Sequence, residues 1–293
     1  MKIFRRPEVF TADDVSDWPS AFQQFLKEAD GFAGEKIIPA AQDNEITIVP
    51  HGGLGAKVVC SRQNNLASSW RVAAFHSNII CEHSDFNPDD LKKGDGLAVR
   101  AESFTAPLAI ATADCLAVAV TLECDGHIIL ASCFHAGWRG YTSGIQQSAL
   151  RWMLQQPEAK KLSDWKRHLH FTIGPAIAGK SYPCGSDVRD ALEEHLKTRL
   201  RAEDGWSDLH ERAFTGSLNR RGELQTPDEK IYPDLQALMA IELSAIGIPL
   251  EQLSILRENT FTSRWWPSHR RAMAEGRSSA GRLVTHLCPP ACP

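Results

Sequence analysis

The chain has 293 residues, 43% of them hydrophobic and 23% charged, with a formal net charge of -4; this is an ordinary globular composition, long enough to bury a sizeable core. No run of like charge marks a nucleic-acid or membrane-surface partner. The opening MKIFRRPEVFTADD lacks the apolar core of a signal peptide and no window approaches a membrane span, so the expected address is cytoplasmic, with no nucleic acid and no membrane as partners.

Residues 1 to about 44 carry weak signals, with an amphipathic helix predicted over Ala21 to Ala33. Short β-type runs follow at Ile46 to Val49, Ala56 to Cys60 and Arg71 to Phe75, the last ending in His76. HGGLG between the first two matches neither dinucleotide nor phosphate-loop spacing and reads as a turn. His83, in CEHSD, rivals His76 as a site histidine, but its polar neighbours point to solvent. Asn87 is expected to cap a helical turn from Pro88 to Lys93, and Gly94-Asp95-Gly96 to open the strand leading to Leu108.

The stretch from Leu108 to Gly144 holds most of the chemistry. Two apolar runs, Leu116 to Leu122 and His127 to Phe134, flank Glu123-Cys124-Asp125-Gly126, which is hairpin composition with Asp-Gly as the turn. If the runs pair antiparallel, Cys115 at the entrance of the first and His135 at the exit of the second meet at the open end of the ladder. Ser143 is expected to cap a helix from Gly144 to about Gln155, with Ile145, Ala149, Trp152 and Met153 on its apolar face.

Leu169 to Ile173 is another predicted strand. After it, GPAIAGKS fits the phosphate-loop expression G-x-x-x-x-G-K-S, but Tyr182 and Pro183 oppose the helix such a loop must start. A capped amphipathic helix is predicted over Ser186 to about Leu200, irregular chain over Glu203 to Gln225, and a helix over Pro233 to Ile246 stopped by Gly247. Strands are expected at Leu253 to Leu256 and Leu283 to Leu287. Between them Trp265, Trp266, Ser268, His269, Arg270 and Arg271 read either as core or as a base-stacking wall beside arginines. The eight cysteines (Cys60, Cys81, Cys115, Cys124, Cys133, Cys184, Cys288, Cys292) are scattered, which favours buried thiols with one or two doing chemistry over a disulfide framework. Cys288 and Cys292 fall in the proline-rich CPPAC, read as a frayed tail.

Two histidines and a cysteine with an open fourth position are the donor set of a catalytic zinc. Cys115 as thiolate with His135 as base is instead a nucleophilic pair able to attack an amide without metal. The residues leave both readings open.

TADCLAV followed by FHAGWRGYTSG resembles the TADCLPV and HAGWRG signatures of the YfiH-like proteins, also called laccase-domain or multicopper polyphenol oxidases. The likeness extends to GPAIAGKSYPCG, to the helix containing Tyr232, Asp234 and Leu235, and to SHRR with GRSSAGRL, over roughly residues 70 to 287. The resemblance implies an α/β (α+β) fold, a sandwich of mixed β-sheets flanked by helices, related to Cys-His deamidating toxins. It implies a single domain over 1–293, with a divergent amino-terminal part at 1–60 and a tail at 288–293. Carried over residue by residue, the family's metal triad falls on His76, Cys115 and His135, and Arg139 matches a position expected near phosphate or substrate. Asp114 is expected either to orient a ligand histidine or hydroxyl or to serve the turn. The family's QVHG is AFHS here, placing Phe75 and Ser77 beside His76, and its cysteine-threonine pair is Asn259-Thr260.

A four-copper oxidase needs repeated His-x-His pairs, and among eleven histidines this chain has one, His168 and His170. Four-copper chemistry is therefore not expected; Zn2+ is the expected cofactor, with Cu2+ the alternative occupant. The resemblance implies a purine nucleoside phosphorylase acting on adenosine, inosine or methylthioadenosine with phosphate, with adenosine deamination as a side activity. The alternatives are a Cys-His amide hydrolase that edits peptidoglycan precursors, acting on muramoyl-amino acids, and a metal-binding scaffold that has lost catalysis.

Overall fold

Between Leu116 and Leu122, bulky Leu116, Val118, Val120 and Leu122 alternate with small Ala117, Ala119 and Thr121, so an extended chain there carries a large-residue face and a small-residue face. That alternation separates the layers of the fold. The structure, a computed structural model, describes residues 46–62, 69–82, 92–199, 230–263 and 265–290. Its strands are β1 (Ile46–His51), β2 (Ala56–Ser61), β3 (Trp70–Arg71), β4 (Ile80–Glu82), β5 (Gly96–Arg100), β6 (Leu108–Thr112), β7 (Leu116–Cys124), β8 (His127–Ala136), β9 (Leu169–Ile173), β10 (Leu253–Ile255) and β11 (Leu283–Cys288). The α-helices are α1 (Trp138–Thr142), α2 (Ile145–Gln155), α3 (Ser186–Arg199), α4 (Leu235–Ala245) and α5 (His269–Ala274).

A five-stranded sheet has the order β1-β2-β11-β6-β3, and a six-stranded sheet the order β10-β9-β7-β8-β5-β4. Both are mixed, with parallel pairs at β3 with β6, β4 with β5 and β9 with β10. Ala117, Ala119, Ala131 and Cys133 pack between the sheets against Val58, Cys60, Leu108, Ile110, Leu283 and Leu287. On the other face Leu116, Val118, Val120 and Leu122 share a core with Ile145, Ala149 and Met153 of α2 and with Val188, Leu192 and Leu196 of α3. Each such fully buried aliphatic side chain contributes roughly 1.5–3 kcal/mol. Every residue of α4 from Leu235 to Leu243 is buried, as expected of a helix enclosed on all sides. The result is the expected α/β sandwich, sheet on sheet with helices over one face. None of the described helices is long and apolar enough to cross a membrane.

The central hairpin forms as its composition demands. Asp125 and Gly126 have φ of 49° and 76°, the left-handed pair that matches the twist of a two-residue loop. The ladder shifts register at Leu122/Glu123, which leaves Ile129 as the extra residue opposite them.

Elsewhere the structure departs from the expectations. The predicted strand from Arg71 to Phe75 shrinks to Trp70–Arg71; the chain then leaves the sheet, and Phe75 is 50% exposed. Gly96–Arg100 and Leu108–Thr112 are separate strands in different sheets, parted by a 3-10 turn at Ala101–Ser103. Ser143 does not cap the helix after it but ends α1, while the residue preceding α2 is Gly144, left-handed at φ 82°. The helix predicted from Pro233 starts at Leu235, where Asp234 accepts a hydrogen bond from the Ala237 amide. Gly179, Lys180 and Ser181 form a short 3-10 turn rather than the start of a phosphate-loop helix. Cys288 is not part of a frayed tail: it closes β11 and is 2% exposed. Trp266 is buried and Trp265 partly exposed. The predicted helix over Ala21 to Ala33, His83, Asn87 to Leu91, Glu203 to Gln225 and Cys292 lie outside the described residues.

Candidate metal centre

In the six-stranded sheet, β7 runs antiparallel to β8, β8 antiparallel to β5, and β5 parallel to β4. The start of β7, the end of β8 and the starts of β5 and β4 therefore share one sheet edge. Cys115 immediately precedes β7, His135 pairs with Ala117 near the end of β8, Asp95 immediately precedes β5, and His76 lies in the loop before β4.

These residues meet. One donor atom each from His76, Cys115 and His135 lies within 4.8 Å of the others. The Cys115 Sγ is 4.0 Å from His76 Nε2, and the two imidazoles stand edge to face with centroids 4.9 Å apart. His76 is exposed, Cys115 partly buried and His135 buried, so the group opens to solvent on one side. Glycine makes that approach possible: a Cβ at Gly137 would lie 2.8 Å from His76 Cδ2 and 3.0 Å from the Cys115 Sγ. The AGW of the motif is thus the wall against which two of the donors rest.

Asp95 holds the arrangement. Its side chain is fully buried. Its Oδ1 accepts from His135 Nδ1 at 2.7 Å and from the His76 amide at 3.0 Å. Its Oδ2 accepts from the amides of Phe75 at 3.3 Å and Ser77 at 2.6 Å, and from the Ser77 hydroxyl at 2.6 Å. His76 itself has φ 65°, a left-handed conformation that costs a non-glycine residue energy. Sequence reasoning missed Asp95. Its signal was an acid between two glycines, read only as the opening of a strand.

Asp114 was expected to orient a ligand histidine or a hydroxyl, or to serve the turn; among the described residues it bonds to neither His76 nor His135, and holds a hydroxyl and two backbone amides instead. It sits at φ 90°, its carbonyl accepts from the Ile177 amide, and its carboxylate accepts from the Thr260 hydroxyl at 2.6 Å and the Arg270 amide at 2.7 Å. It thereby ties the Cys115 turn to the carboxyl-terminal segment. Asn259 also finds partners, accepting from the amides of Ala178 and Phe261 and donating to Ser181. Arg139 projects from α1 and is exposed, its guanidinium carbon 4.2 Å from the centre of the Trp138 ring. On the other flank, Arg270 lies 5.3 Å above the Tyr182 ring. His168 and His170 are gathered around Glu123, at the far end of β7, roughly 25 Å from Cys115 at strand rise.

Charge follows this geometry. Burial acts to raise the Cys115 thiol, but hydrogen bonds from His135 and His76 outweigh it and bring the pKa down to about 7. Burial acts to lower His135, and its bonds to Asp95 and Cys115 overcome this and lift it to about 9. Burial opposes ionisation of Asp95 too, yet donors from His135, Ser77 and His76 hold it below the usual carboxylate range. By contrast, burial pushes Cys60 up to about 12 and Cys184 up to about 11.

A thiolate and two imidazole nitrogens suit a borderline cation such as zinc or copper. With Nδ1 of His135 engaged by Asp95, Nε2 is the nitrogen left to coordinate. Donors around one tetrahedral zinc would stand roughly 3.4 Å apart, so these sit slightly open of that spacing. The residues fit such an ion.

The sequence profile of the family described as multi-copper polyphenol oxidoreductase laccase matches residues 55–288. A purine nucleoside phosphorylase of Pseudomonas aeruginosa is 28% identical over 169 residues, covering 57% of this chain and 56% of that protein. The purine nucleoside phosphorylase YfiH of Shigella flexneri is 32% identical over 84 residues, covering 29% of this chain and 30% of that protein. The alignments thus span less than two thirds of either relative. Among solved structures, hypothetical protein YfiH of Bacillus licheniformis superposes with a TM-score of 0.64 at 18% identity, covering 86% of this chain and 98% of that one. A Neisseria meningitidis protein superposes at 0.61 with 17% identity, covering 85% and 100%. At these identities the structural likeness speaks to the fold.

Proposed function

The chain belongs to the family described as multi-copper polyphenol oxidoreductase laccase, and from that membership and the site geometry we propose that it is a zinc-dependent purine nucleoside phosphorylase. The observation that carries this reading is the convergence of His76, Cys115 and His135 within 4.8 Å. The substrate class comes from the relatives named purine nucleoside phosphorylase. Phosphorolysis of adenosine, inosine or methylthioadenosine breaks the bond from base to sugar, joins phosphate to the sugar carbon and releases the base, which gains a proton. Adenosine deamination is the accompanying activity.

Zinc held by His76, Cys115 and His135 would supply Lewis-acid polarisation of a substrate group. Asp95 keeps the His135 Nδ1 proton engaged, so that Nε2 faces the donors. Arg139, ordered against Trp138, offsets the charge of phosphate. The exposed His76 leaves a small molecule access from solvent.

The test is incubation of metal-quantified protein with each nucleoside, with and without phosphate. Phosphate-dependent release of free base, lost in Cys115→Ala, is the expected result; no release from zinc-loaded protein overturns the reading. One observation favours a second reading: Cys115, His135 and Asp95 stand in the order of nucleophile, base and orienting carboxylate. A metal-free amide hydrolase acting on muramoyl-amino acid precursors would use that set. Cleavage of a nucleotide-linked muramoyl amino acid by protein stripped of metal, with no nucleoside activity, would favour it over the first.

A further inference from the structure

Among the described residues, the loop carrying His76 is hydrogen-bonded to the same carboxylate as His135 on its strand, beside the contact between the two rings. Ala73 bonds across to Lys92 and Gly94, but from Phe75 to Ser77 the amides all turn inward onto Asp95. The same side chain takes the Nδ1 of His135, and its own carbonyl takes the His135 amide at 2.6 Å. The two oxygens divide the work: Oδ1 binds both histidine residues, and Oδ2 binds the residues on either side of His76.

We infer that Asp95 is a positioning residue that couples the two histidines, fixing which nitrogen His135 presents and holding the His76 loop in its left-handed turn, so that neither imidazole is placed without it. The inference rests on the metal-centre reading of the site. Ser77 contributes to the same clamp. Where the family pattern has glycine, this chain places a hydroxyl that donates to Asp95 Oδ2 and accepts from the Ile79 amide at 3.2 Å. A serine there gives up glycine's conformational freedom and adds a tether. An asparagine at 95 cannot substitute for the carboxylate: whichever way its amide is turned, its NH2 faces donors from one histidine segment.

The experiment titrates Co2+ into metal-free wild type, Asp95→Asn, Ser77→Ala and Glu242→Gln, following the thiolate-to-cobalt absorption band. Hydrogen exchange of the peptide spanning residues 71–80 is measured in the same metal-free samples. Glu242→Gln alters a buried pair between α4 and His195 of α3 that includes neither Asp95 nor any of the three donors and controls for general loss of stability. Expected are cobalt affinities weaker by roughly 10–100-fold in Asp95→Asn and by a smaller factor in Ser77→Ala, with Glu242→Gln close to wild type. Exchange at the amides of Phe75, His76 and Ser77 should rise at least about tenfold in Asp95→Asn, the consequence of opening a protected turn. Wild-type affinity in Asp95→Asn overturns the inference. Should wild type itself bind no cobalt, the metal reading fails separately and exchange decides: an unchanged His76 loop in Asp95→Asn then overturns the role given to Asp95.

Discussion

Gly137 shows how tightly single residues constrain the site. A methyl group there would press on both the His76 ring and the Cys115 sulfur, at the point where the two donors approach each other. Gly137→Ala is therefore expected to cost about 1–3 kcal/mol of stability and to lose most metal binding, measured by urea unfolding and elemental analysis. The Cys115 thiolate gives a second test. In metal-free protein, alkylation by iodoacetamide should follow a titration centred near pH 7, with Cys60 and Cys184 silent because burial raises them to about 12 and about 11. A midpoint near the ordinary thiol value, above 8, would remove the histidine contacts from the account. At this scale Cys115 and His135 were legible in the residues around TADC and HAGW, while His76 was placed in the triad through the family likeness, at AFHS. Asp95 was not legible, because three of its partners are backbone amides of the Phe75 to Ser77 loop and its side-chain partners Ser77 and His135 lie 18 and 40 residues away, a set that no local pattern records.

At the scale of elements, the β7–β8 hairpin was readable because two local signals agreed: alternating apolar residues and Asp125-Gly126 at their centre. Gly126→Ala, with open space around the added methyl, should cost about 1 kcal/mol through its φ of 76° alone. A loss in urea unfolding far beyond that would mean that the turn carries more than its backbone conformation. Trp70–Arg71 misled for the opposite reason. The apolar residues from Val72 to Phe75 look strand-like, yet the amides near His76 bind the Asp95 carboxylate instead of a neighbouring strand. Likewise Ser143 has capping chemistry, but the chain had already formed a turn of helix at Trp138–Thr142, leaving Gly144 to reverse direction. Tertiary partners settled both, and a local pattern cannot register them.

The whole molecule is held together by its layers, and one buried imidazole joins them. His51, from the end of β1, reaches Thr172 Oγ1 at 2.8 Å and Thr121 Oγ1 at 3.0 Å on the six-stranded sheet. Burial, and then the nearby His170, lower its pKa to about 3, and burial lowers His286 of β11 to about 4. Both histidines stay neutral in the folded state at pH values where the unfolded chain protonates them. The contribution of these two groups is thus full above about pH 6.5 and is lost as pH falls, by about 1.4 kcal/mol per pH unit for each, down to about pH 4 for His286 and about 3 for His51. His51→Gln should flatten that acid limb by close to one proton; an unchanged slope would place the acid sensitivity elsewhere. The sheet-on-sheet fold followed from the family likeness and its separate strands from periodicity, whereas the docking of β1 by a histidine between two threonines left no periodic trace. The most direct measurement of the central claim is zinc content by elemental analysis of purified wild type and Cys115→Ala, with folding of both checked by circular dichroism. Close to one zinc ion per wild-type chain, and almost none in a folded Cys115→Ala, is the expected result; equal content in the two proteins would contradict it.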